Sequence, residues 1–135
     1  MSSYIDRRQI IGEFLKNIYR LSDEKYQERV WVRGAGPECN ELDDDVCDFF
    51  DDGNPILENY KDFKITESQH ELLIALHGKL RRFTDTYGVY SSEKSTEKLI
   101  ALPQWHEIRD LSKKILQAFN FKKNDVNHRD LFPLK

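Results

Sequence analysis

The sequence predicts an all-α fold, a compact bundle of three long amphipathic helices with shorter helices between them. Three observations predict it. Apolar residues recur at helical spacing along most of the chain. Helix-start signals open two of the long runs, Thr66 with Gln69 as a capping box and Pro103 at a first turn. A chain of 135 residues suits one domain with one core. We assign residues 1–121 to that domain and 122–135 to a polar C-terminal tail.

The first helix is predicted over Ser3 to Leu21. Ile11, Phe14, Leu15 and Ile18 share one face, and Glu13, Lys16, Asn17 and Arg20 the other. Ser22 can cap a short helix through Glu28. "RVWVRG" then reads either as a brief strand, giving one short strand pair, or as the end of that helix entering a loop. Gly34, Gly36 and Pro37 break regular structure after it. Leu42, Val46, Phe49 and Phe50 predict another helix, ending at Gly53 with Pro55 just past it. Residues 56–62 add a turn or two. Leu72, Leu76, Leu80, Phe83 and Tyr87 line a long helix after Thr66. Gly88 to Ser95 is a polar loop. Ile108, Leu111, Ile115 and Phe119 line the last helix, which Asn120 ends.

Charged residues are 33% of the chain and hydrophobic ones 39%, so the aromatics (eight Phe, six Tyr, two Trp) must carry much of the core. No run is long enough to span a bilayer, and "MSSYIDRRQIIGEF" lacks the long apolar run expected of a signal peptide. Cys39 and Cys47 alone make neither a disulfide framework nor a zinc site, so two free thiols and a cytoplasmic location are expected.

The charge is unevenly placed. Glu38 to Asp62 contains ten acidic residues and one basic residue, Lys61, for a net charge of −9. The whole chain carries −3, so the remainder carries +6. With Leu42, Val46 and Phe49 turned inward, Asp44, Asp48 and Asp51 project outward, flanked by Asp45 and Asp52. Like charges four residues apart on a helix each cost about 0.2–0.5 kcal/mol. Asp51 and Asp52 at a helix end would each cost about 0.3–1 kcal/mol more against the macrodipole. Local stability does not select such a cluster.

Sites of known chemistry fail on spacing. With Gly53 at the sixth position of a calcium loop, Phe50 occupies a ligand position and Asn59 replaces the closing glutamate. In "HELLIALH", His70 and His77 are seven residues apart, about 10 Å along a helix, too far to share a zinc ion. A site built on His70 and Glu71 would need distant groups. No phosphate loop, dinucleotide motif or nucleophile elbow is present. We therefore expect a protein that is not an enzyme and uses no metal and no cofactor. Arg81, Arg82, Lys113, Lys114, Lys122 and Lys123, with Phe83 and Phe121, offer a basic-aromatic surface for a nucleic-acid-associated regulator. The acidic segment opposes that alternative by repelling phosphate.

The segment "VWVRGAGPECNELDDDVCDFFDDGNPILENYKDF", in a small, mostly helical acidic chain, resembles the small immunity proteins of bacterial polymorphic toxin systems, of the contact-dependent growth inhibition and Rhs types. The resemblance is one of overall type, and no motif residue is carried over. It implies a partner, the C-terminal toxin domain of a sister-cell effector, often a basic nuclease, whose active site is covered. The charge map independently favours a cationic partner. The expected partner-binding residues are Asp43, Asp44, Asp45, Asp48, Asp51, Asp52, Glu58 and Asp62. Trp31, Tyr60 and Phe63 are the aromatic anchor candidates beside them, with core packing the competing role for each.

Overall fold

The fold is described from a computed structural model over residues 6–88 and 94–122. Helix α1 is Arg7–Ser22. It starts where Asp6, in extended conformation, accepts a hydrogen bond from Arg8 N at 2.9 Å. Residues 3–5, included in the predicted helix, lie outside the described residues. Phe14, Leu15 and Ile18 are buried as expected. Asn17, expected on the outer face, is 1% exposed, and its amide donates to the Asp45 carbonyl at 2.9 Å.

Asp23 rather than Ser22 caps the short helix α2 (Glu24–Tyr26); the Ser22 hydroxyl instead turns back to the Tyr19 carbonyl. The chain then widens into a π-helical turn over Gln27–Val32. Of the two readings of "RVWVRG", the helix end holds and the strand does not; no strand occurs among the described residues. The "VWV" run is β-branched and aromatic, but its backbone groups are satisfied within the turn and Trp31 is drawn into the core.

Helix α3 is Leu42–Glu58, longer than predicted. Gly53 does not end it. A Cβ at that position would lie 3.0 Å from Phe14 Cε1, so glycine serves close helix packing here. Pro55 removes one ladder bond within the last turn without stopping the helix. Asp51 and Asp52 therefore stand mid-helix, free of the terminal dipole cost expected from sequence. A 3₁₀ turn at Tyr60–Phe63 leads to α4 (Glu67–Tyr87). The Thr66–Gln69 capping box forms in both directions, at 3.1 and 2.9 Å. Leu73, Leu76, Leu80 and Phe83 face inward, while Leu72 and Tyr87 are half-buried. Gly88 ends α4 with φ 61°.

The predicted loop at 88–95 falls largely on residues 89–93, outside the described residues. Ser95 then caps α5 (Thr96–Ile100), which the sequence reading missed. Helix α6 is Pro103–Ala118, with proline at its start and Asn120, φ 56°, just past its end. The predicted tail is outside the described residues beyond Lys122.

Among the described residues the bundle has four long helices, α3 joining the three expected. α1 packs on α3 and α6, and α4 packs on the same two, closing a ring around one core. Trp105 is fully buried, edge-on to Trp31 at 5.8 Å and tilted against Phe83 at 5.2 Å. Phe14 meets Phe49 at 5.4 Å between α1 and α3. No described helix is long and apolar enough to cross a membrane.

Candidate interaction surface

The acidic helix α3 is held rigidly by one of its own acids. Asp45 is 0% exposed and its carboxylate is saturated. Arg20 Nε and Asn40 Nδ2 donate to Oδ1 at 3.0 and 2.7 Å. Tyr26 OH and Trp31 Nε1 donate to Oδ2 at 3.0 and 2.7 Å. Donors thus converge from α1, α2, the π turn and the connecting segment. Burial, followed by the Asp45 charge, pushes the Tyr26 phenol up, so it remains a donor. Asp45 is therefore withdrawn from the expected partner-binding set. It cannot meet a partner because its lone pairs are already engaged and it has no surface. The signal was present in the sequence. Leu42, Asp45, Val46 and Phe49 fall at i, i+3, i+4 and i+7, which puts Asp45 on the apolar stripe.

Two further acids of the segment have local duties. Glu38 takes a two-pronged ion pair from Arg29, at 2.8 and 2.9 Å. Asp44 Oδ2 accepts from Glu41 N at 2.9 Å, closing the start of α3 while the side chain stays exposed. Asp43 is half-buried.

Asp48, Asp51 and Asp52 form the outward group. All three are exposed, and none makes an ion pair with a described residue. Among the described residues Asp51 accepts only the Cys47 thiol, at 3.5 Å. Partial burial raises Asp48 above the usual carboxylate range, and Asp45, Asp52 and Asp44 add to the shift. Asp52 is raised by partial burial, then by Asp51, with Glu13 of α1 contributing. In both cases Arg20 pulls the other way without winning. Partial burial first, and like charges after it, thus disfavour the charged forms of Asp48 and Asp52.

Glu58 and Asp62 are exposed but stand beyond the helix's main acidic row. Asp62 shares a recess with Arg7, Arg8 and Lys64. The structure therefore brings together Asp48, Asp51 and Asp52, with Asp44 one turn earlier, and sets Glu58 and Asp62 apart. Sequence reasoning missed Asp6, which caps α1, and Glu13 within it. They line a groove with Asp51 and Asp52, a proximity no local spacing reports.

The three aromatic candidates separate. Trp31 is core, 6% exposed. Tyr60 stacks on His70 at 3.7 Å and donates to Glu67 at 2.7 Å. Phe63 is half-buried and lines the same groove. Cys39 and Cys47 are both free thiols, and burial followed by the Asp51 contact pushes the Cys47 thiol up, against reactivity.

The histidines do not converge. His70 is taken by the Tyr60 stack, while His77 Nε2 faces Asn54 Oδ1 at 2.9 Å and meets the Phe50 ring edge-on at 5.0 Å. No group of three metal-ligating side chains occurs among the described residues. On the basic side, Lys79 pairs with Glu107 at 3.0 Å and Arg81 lies over the Phe50 ring at 5.5 Å, so that surface is partly occupied by contacts of its own. Comparison with protein-family models, curated proteins and solved structures gave no match.

Proposed function

We propose that this chain is an inhibitor of the immunity type, which neutralises a toxin domain by laying the acidic face of α3 over its cationic active site. One observation supports this above the others: Asp48, Asp51 and Asp52 stand exposed on a rigid helix with no described lysine or arginine within ion-pair distance. The fold does use arginines elsewhere in and around the acidic segment, on Asp45 and Glu38. A nuclease must attract phosphate, so its active site is electropositive. A row of carboxylates on one helix face presents a matching field and speeds encounter.

If the reading frame directly upstream encodes a large exported protein, its C-terminal domain is the partner to express. The variant Asp48→Lys/Asp51→Lys/Asp52→Lys spares the cap at Asp44 and the buried Asp45. It should keep the native circular dichroism spectrum and slow association about tenfold or more at low salt. Stopped-flow fluorescence checks this. An unchanged on-rate at low ionic strength rejects the acidic face as the docking surface.

A further inference from the structure

The groove between α1 and α3 joins a charged wall to an apolar floor. Its floor is Ile10, Pro55, Ile56 and Phe63. Asp6 and Glu13 stand on the α1 side and Asp51 and Asp52 on the α3 side, around a volume of about 800 Å³, within the range of pockets that hold compact ligands. From Asp6 to Glu13 the wall runs about 10 Å, two helical turns. We propose that this groove seats a cationic amphipathic segment of the partner protein, with a bulky apolar side chain on the floor and lysines or arginines against the two acidic walls.

The argument rests on the inhibitor reading above and sharpens it, by placing the anchor that charge alone does not supply. Complementary charge speeds encounter, whereas lasting affinity comes from a buried apolar anchor. The groove provides both at one place. Carboxylates on both walls exclude an anionic ligand. The apolar floor separates an amphipathic segment from a simple polycation. Part of the wall is already neutralised, since Arg8 lies 3.5 Å from Asp6 and Lys16 lies 3.3 Å from Glu13. Asp51 and Asp52 have no such partner among the described residues. Across the groove, Glu13 adds to the forces that push the Asp52 carboxyl up.

The test uses a fluorescein-labelled helical peptide with Leu and Trp on one face and Lys on the other, followed by fluorescence anisotropy at low ionic strength. A second peptide keeps the lysines and replaces the apolar face with Ser. The Leu/Trp peptide should bind, and the Ser peptide should bind about tenfold more weakly. Gln9→Trp, an exposed change that fills the groove without altering charge, should weaken the Leu/Trp peptide about tenfold, as should Phe63→Ser. Asp51→Lys/Asp52→Lys should abolish binding. Equal binding of the two peptides, or full binding to Gln9→Trp, overturns the groove. If Asp48→Lys alone weakens binding while Gln9→Trp does not, the acidic face survives and the groove falls. If no carboxylate variant matters, both readings fall. Self-association by sedimentation that Gln9→Trp abolishes would give the groove to a second copy and overturn the proposal.

Discussion

Asp45 shows how little a residue's type says about its use. Eight carboxylates were expected at the surface, and one of them is the polar centre of the core. Its four donors make it a buried, paired charge, and removing one side of such a pair costs far more than the pair contributes net. Asp45→Ala should therefore destabilise the fold by about 3–5 kcal/mol, measured by urea unfolding. Asp51→Ala, exposed and without an ion pair among the described residues, should stay within about 0.5 kcal/mol of the parent. Spacing could have placed Asp45 inward, since it shares the stripe of Leu42 and Val46. Spacing could not name Arg20, Tyr26, Trp31 and Asn40 as its partners, because those contacts depend on how four other segments meet α3.

For individual elements, α3 is where sequence and structure part most clearly. Gly53 and Pro55 are stop signals locally, yet Phe14 needs the space over Gly53 and the helix runs on to Glu58. Tertiary packing overrides turn propensity there. The Thr66 cap, the Pro103 start and the Asn120 stop were legible because each is a local hydrogen-bond or dihedral requirement. The π turn was not legible, since its residues suit a strand equally well. Lengthening α3 also fixes the acids in one continuous row, where Asp48 repels Asp44 and Asp52 at four-residue spacing. Asp48→Asn should raise stability at neutral pH by a few tenths of a kcal/mol. The folded Asp48 carboxyl titrates above its ordinary value of 3.8. Its neutral form is thus the better folded one. That contribution is complete below 3.8 and is lost as pH rises through the raised value. The advantage of Asp48→Asn should accordingly shrink on acidification, which paired thermal melts at neutral and acid pH would read.

For the whole molecule, one buried amide ties two neighbours of the helical ring, α1 and α6, together. Gln27 Nε2 donates to the carbonyls of Arg20 and Leu21 at the end of α1, at 2.9 and 2.8 Å. Its Oε1 receives Trp105 Nε1 and Arg109 of α6, both at 3.0 Å. Gln27→Leu strands these groups in the interior and should cost about 3 kcal/mol, lowering the denaturant midpoint without changing the slope of a single cooperative transition. The ring and its core were legible as a class, a helical bundle, because periodicity reports which face is buried. The order of neighbours around the ring was not. Arg20 has a last consequence at this scale. Anchored on Asp45, it lies near enough to lower the Asp48 and Asp52 carboxyls, yet burial and the neighbouring acids outweigh it. The exposed carboxylates of α3 therefore keep a net acidic face in the folded chain even with this arginine held beneath them.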